Sequence, residues 1–127
     1  MPADEFPSAS EAVSQETINR YADISGDYNP IHVDEAAAAA SEFGGTIAHG
    51  PIALQTFFRS LTEWLGTGAP PAGTEIKITF RAPTRPGDTI HCELRELDQS
   101  AGATEISAEC VNQTDAPVIS AKASIPQ

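Results

Sequence analysis

Asp27 and His32 lie five residues apart in the run GDYNPIH, residues 26–32. A carboxylate and an imidazole that meet can hold one water molecule, polarise it and move its proton. Pro30 disfavours the helical region for Asn29, so the run reads as an irregular turn, and a turn of this length can bring both side chains to one point. The same spacing also fits local use, with Asp27 accepting backbone N–H bonds, His32 packing, and the Asn29 amide bonding its own backbone. Further along, His49 and Gly50 open the longest helical pattern. Glycine there lets a ligand approach unpaired amides, which together with the helix dipole favour a partly negative oxygen such as a thioester carbonyl. An ordinary helix entry is the alternative reading of Gly50. His49 and His91 read as structural, His91 pointing away from the strand face that carries Ile90 and Cys92. Cys92 and Cys110, with 17 residues between them, match no zinc spacing and read as reduced, buried thiols. No metal is expected.

The elements that must position these groups follow from periodicity. A short strand is expected near residues 8–13. Ser14 caps a helix over residues 15–24, in which Ile18, Tyr21 and Ala22 recur at helical spacing, and Ser25 and Gly26 stop it. Asp34 caps an alanine-rich helix over residues 35–41, ended by Gly44 and Gly45. Pro51 suits a first helical turn, and Leu54, Phe57, Phe58, Leu61, Trp64 and Leu65 form one apolar stripe up to Gly66. This is the expected core helix, although Phe57 and Phe58 also fit the border of a ligand tunnel. Beyond residue 73 the period becomes two. Ile76, Ile78 and Phe80 alternate with polar residues, as do Ile90, Cys92 and Leu94, then Ile106, Ala108 and Cys110, then Ile119, Ala121, Ala123 and Ile125. Turn signals at TRPGD (84–88), QSAG (99–102) and TDAP (114–117) separate the runs. The pattern predicts an α+β fold: an antiparallel sheet with one buried face, covered by the long helix. A hairpin around residues 100–102 places the two cysteines on neighbouring strands.

Composition narrows the function. The 127 residues fit one domain, residues 1–127, large enough to fold without a metal or disulfide staple. A net charge of −11 excludes nucleic-acid or acidic-membrane binding by a broad positive field. No apolar run is long enough to span a membrane, and the start carries no basic, apolar leader, so a cytoplasmic location is expected. The acidity is uneven. Residues 59–95 hold five basic side chains (Arg59, Lys77, Arg81, Arg85, Arg95) against four acidic ones, so an anionic ligand finds its cations there, unless these are scattered solvated charges.

The stretch YADISGDYNPIHVDEAAAAASEFGGTIAHG, residues 21–50, resembles the hydratase signature of the MaoC-like (R)-specific enoyl-CoA hydratases and dehydratases. Gly26, Asp27, Asn29, Pro30 and His32 together arise by chance in a chain of this length with odds on the order of 10⁻⁵. The resemblance continues through the core helix after AHG, a strand ending in FRAP, the RPGDT turn and three further strands. It implies a hot-dog fold, a long antiparallel sheet wrapped around a central helix, paired as a homodimer. It also implies that Asp27 and His32 are the catalytic pair, that Asn29 orients the site, and that the Gly50 N–H donates to the thioester oxygen. The implied reaction is reversible hydration of a trans-2-enoyl-CoA to an (R)-3-hydroxyacyl-CoA, the CoA thioester being substrate and no cofactor being needed. Lys77, Arg81 and Arg85 are then the candidates to meet the CoA phosphates, and Phe57 and Phe58 to border the acyl chain. Two alternatives keep the same residues: a dehydratase of acyl-carrier-protein thioesters, and a partner subunit of a heteromeric hydratase.

Overall fold

The computed structural model describes residues 4–100 and 102–127, with only the backbone of Ser100. Strand β1 (Ser10–Ala12) leads into helix α1 (Gln15–Ser25). Ser14 caps α1 by accepting from the Thr17 N–H at 3.0 Å, and Gly26 ends it at φ 78°, a left-handed conformation that glycine adopts without a Cβ penalty. Two short helices follow, α2 (Pro30–Val33) and α3 (Glu35–Ala39), then the long helix α4 (Gly50–Leu65). The expected irregular turn therefore contains a helical turn: Asn29 caps it and Pro30, whose missing N–H costs nothing at a first position, starts it. Helix α3 stops at Ala39, before the glycines expected to end it.

The remaining chain is sheet: β2 (Glu75–Phe80), β3 (Thr89–Ser100), β4 (Ala103–Val111) and β5 (Pro117–Pro126). The order is β1-β3-β4-β5-β2, antiparallel throughout. The register pairs Cys92 with Cys110, Ala108 with Ala121 and Ile78 with Ala121 on its other neighbour. Ala101, within the turn expected at residues 99–102, and residues 1–3 lie outside the described residues. One face of this sheet wraps α4. Phe57, Leu61 and Trp64 of the helix pack with Ile90, Cys92, Ala108, Cys110 and Ile119 of the strands. This is the hot-dog arrangement that the sequence led us to expect.

The core corrects two readings. Phe57 is fully buried in this cluster and Phe58, one residue on, turns outward at the edge of the apolar stripe. Neither lines the cavity that His32 and Gly50 share. Phe80 continues the alternation of Ile76 and Ile78 yet is 59% exposed, at the end of an edge strand of the sheet. The cysteines are free and buried, as expected. Thr56 of α4 donates to Cys110 Sγ at 3.3 Å, and the hydrogen bond with Cys110, then burial, push the Cys92 thiol well above its ordinary value.

Candidate active site

The stretch before α4 organises the site. Residues 46–49 are buried and threaded between two other segments. The Ile47 N–H donates to the Ile31 carbonyl at 3.0 Å and the Ala48 N–H to the Thr84 carbonyl at 2.7 Å, so the entry to α4 is tied to α2 on one side and to the β2–β3 connection on the other. Gln15 of α1 adds a third tie, donating to the His32 carbonyl at 2.8 Å and accepting from Thr46 Oγ1 at 2.7 Å.

His32 is buried, and its Nδ1 lies 2.7 Å from the Ile47 carbonyl oxygen. A carbonyl only accepts, so Nδ1 carries the proton, and Nε2 of the neutral ring presents a lone pair. That lone pair faces Asp27 Oδ2 at 3.8 Å. The gap is too long for a direct hydrogen bond. It suits one water molecule donating a proton to each group. Asp27 keeps its other oxygen for the turn, where Oδ1 accepts from the Asn29 N–H at 3.1 Å. Both sequence readings of Asp27 thus apply at once, one per oxygen. Asn29 is exposed, its side chain caps α2 by accepting from the Ile31 N–H at 3.2 Å, and its carbonyl accepts from the His32 N–H at 2.9 Å; it meets the site through the backbone of the turn.

Gly50 is the first residue of α4. Pro51 has no N–H, and the Ile52 N–H is taken by the His49 carbonyl at 3.1 Å; among the described residues nothing accepts the Gly50 N–H. Gly50 lines a cavity of ≈ 540 Å³ whose walls also include His32, Phe43, His49, Phe80 and Thr84. His32 and Gly50 therefore share one cavity. Asp27 stands beside it, in reach through His32 Nε2.

His49, read as structural, is a buried support inside the site. Its ring stacks on His32 at 3.8 Å between centroids, Tyr21 leans on it at 4.8 Å, and its Nε2 donates to the Asp27 carbonyl at 2.9 Å. One side chain thus holds the Asp27 loop, backs the His32 ring and adjoins Gly50. The signal was its position, a histidine directly before a helix-opening Gly-Pro pair. Asp27, His32 and His49 offer ligand atoms within 4.8 Å of one another. The two rings are only 25° from parallel, so their in-plane lone pairs run alongside each other instead of converging about 2.0 Å from a common ion. Each ring also commits one nitrogen to a carbonyl. An arrangement of this kind can carry acid–base chemistry.

The cations lie elsewhere. Arg81 donates to Ser120 at 3.1 Å and stands 3.6 Å from Glu109, within a network of Glu93, Arg95 and Glu109 on the outer sheet face. His91 joins that network through Glu93 at 2.9 Å. Lys77 is exposed on β2, beside Glu75, Glu105 and Lys122. Arg85 donates to the Phe43 carbonyl at 2.6 Å and so anchors the loop that forms one cavity wall. None of these three side chains lines the cavity.

The fold and site together define a hot-dog protein with a carboxylate–imidazole pair and a free amide at the entry of its central helix. A MaoC like domain matches residues 3–116, and the chain belongs to the MaoC-like family. It is 31% identical over 118 residues, 91% of this chain, to fatty acid synthase subunit beta of Schizosaccharomyces pombe. It is 33% identical over 103 residues, 77% of this chain, to 3-hydroxybutyryl-CoA dehydratase of Methylorubrum extorquens. The matches cover 6% and 63% of those two proteins' lengths. The solved (R)-hydratase of A. caviae involved in PHA biosynthesis superposes with TM-score 0.74 over 94% of this chain and 92% of its own, at 22% identity, a likeness of fold. Among the described residues no helix is long and apolar enough to cross a membrane.

Proposed function

We propose that the chain adds water reversibly across the double bond of a trans-2-enoyl-CoA and forms the (R)-3-hydroxyacyl-CoA. The observation that carries this reading is the 3.8 Å gap between two acceptors, Asp27 Oδ2 and His32 Nε2, beside an apolar cavity lined by both His32 and Gly50. A water in that gap donates to both groups and turns its oxygen lone pairs outward to carbon 3. Asp27 takes the proton as the carbon–oxygen bond forms, and His32 shares and steadies it. Electron density moves through the conjugated system to the thioester oxygen, to which the Gly50 N–H donates a hydrogen bond. The enolate then collapses as carbon 2 takes up the proton that water gave up, so atoms balance without another donor. No electrons are exchanged, and the thioester and water are the only reactants. The acid–base pair contributes roughly 10² to 10⁴ in rate and one oxyanion donor roughly 10² to 10³.

The choice of CoA as carrier draws on the name of the Methylorubrum extorquens relative, and the (R) configuration on the GDYNPIH signature. The homodimer belongs to the same proposal: Ile24 and Tyr28, flanking Asp27 in sequence, are 83% and 56% exposed, an apolar edge beside the site that a second copy would cover. The test is hydration of crotonyl-CoA by the purified chain alone, followed through loss of the enoyl thioester's ultraviolet absorbance, with chiral analysis of the product and light scattering for its mass. Turnover to the (R) product is expected, faster with CoA than with carrier-protein thioesters. No turnover, or an (S) product, would overturn the reading.

A further inference from the structure

Phe80 poses a question that burial alone does not answer. A large aromatic side chain 59% exposed at the end of an edge strand is an aggregation liability unless it has a use. Its ring lies on Gly50: a Cβ at that position would come within 2.7 Å of Phe80 Cε1 and 3.0 Å of Cζ. Real Cβ atoms do not approach that closely, so the ring can occupy its place only because residue 50 has no side chain. Gly50 does not have the positive φ of Gly26 or Gly66, and backbone freedom is therefore not what calls for glycine there. Phe80 and Gly50 both line the cavity that holds His32.

We infer that Phe80 is a shielding and positioning residue for the oxyanion step. Its ring seats on the bare Cα of Gly50, walls the neighbouring N–H from bulk water on one side, and presents an apolar surface to a flat, conjugated enoyl group whose oxygen reaches that N–H. A hydrogen-bond donor acts more strongly on developing charge where water is excluded. This inference rests on the hydratase reading above. It extends it by making Gly50 and Phe80 a single device: glycine admits the ring, and the ring covers glycine's amide.

The experiment is a double-mutant cycle with Phe80→Ala, Gly50→Ala and the pair, together with Phe80→Leu, all in the full chain. The backbone of Phe80 pairs with Ile119, a contact none of these side-chain changes removes, and Phe80→Leu keeps an apolar cover. With crotonyl-CoA, Phe80→Ala is expected to lower kcat about tenfold with KM moved less than about threefold, an effect confined to the transition state. Phe80→Leu should recover most of that loss. Gly50→Ala pushes the ring away and should fall to a similar level, and the double variant should be no worse than the poorer single one, since the same cover is lost only once. Hydrogen exchange at the Gly50 amide should quicken in Phe80→Ala and stay slow in Phe80→Leu. Full kcat in Phe80→Ala, or losses that multiply in the double variant, would overturn the inference. If the unmodified chain hydrates no enoyl thioester, the hydratase reading fails. The exchange measurement then decides the shield by itself: unchanged exchange in Phe80→Ala refutes it, and faster exchange sustains it.

Discussion

Asp27→Asn alters one atom of the acid–base pair and leaves its frame in place. The Asn29 N–H that Asp27 Oδ1 accepts at 3.1 Å can be accepted equally by the amide oxygen of Asn. The new NH₂ group then takes the place of Oδ2, opposite His32 Nε2 across the 3.8 Å gap. A donor stands where an acceptor stood, so a water in the gap finds one acceptor instead of two and no carboxylate to receive its proton. The lost step is worth about 10² to 10⁴ in kcat/KM, which at 1.36 kcal/mol per decade is about 3–5 kcal/mol of transition-state stabilisation. The side chain is 53% exposed and keeps its turn bond, so the fold should lose no more than about 0.5 kcal/mol. Initial rates of crotonyl-CoA hydration and a thermal unfolding curve on the same preparation separate the two quantities. A variant that unfolds normally and retains more than about a tenth of the wild-type kcat/KM would refute the assignment of Asp27 as the base.

Three further outcomes are expected. His49→Phe keeps a ring against His32 but loses the donor to the Asp27 carbonyl, whereas His49→Gln keeps a donor and loses the stack; the Phe variant should lose between about tenfold and a hundredfold in kcat through misplacement of the loop, the Gln variant less, and equal losses would deny the hydrogen bond its role. Phe57→Ala should cost about 3–5 kcal/mol in urea unfolding, against less than about 1 kcal/mol for Phe58→Ala, and Phe58→Ala should leave the acyl-length preference unchanged. The hydrogen bond from His91, helped by the charge of Arg95, holds the Glu93 carboxyl below its ordinary range. A depressed folded-state value stabilises above the unfolded value of about 4.3 and is lost as pH falls through the folded one, so the gap in Tm between wild type and Glu93→Gln should shrink on acidification, and a gap that widens would be wrong in sign.

Much of this could be read along the chain because it depends on neighbours in sequence. Helix α1 between Ser14 and Gly26, the stripe of α4 up to Gly66, and the alternation of β2 to β5 are local patterns with local causes. Asp27 and His32 were legible as a pair for the same reason, as was the helix-entry amide of Gly50. Phe57 and Phe58 were ambiguous because a helical stripe does not state what it packs against. Asn29 was assigned to the site by resemblance, while its side chain spends its oxygen on the cap of α2. Lys77, Arg81 and Arg85 were grouped by charge, yet Arg81 and Arg85 are engaged with Glu109 and the Phe43 carbonyl.

The sequence by itself determined the elements, the antiparallel sheet around one helix, and the chemical types gathered at residues 26–50. Tertiary structure alone decided that His49, read as structural, reaches back 22 residues to hold the Asp27 loop, and that Phe80, read as core, lies on Gly50. Both decisions are contacts between segments distant in the chain. Periodicity reports which face a residue takes on its own element, but not which other element, if any, arrives to meet it.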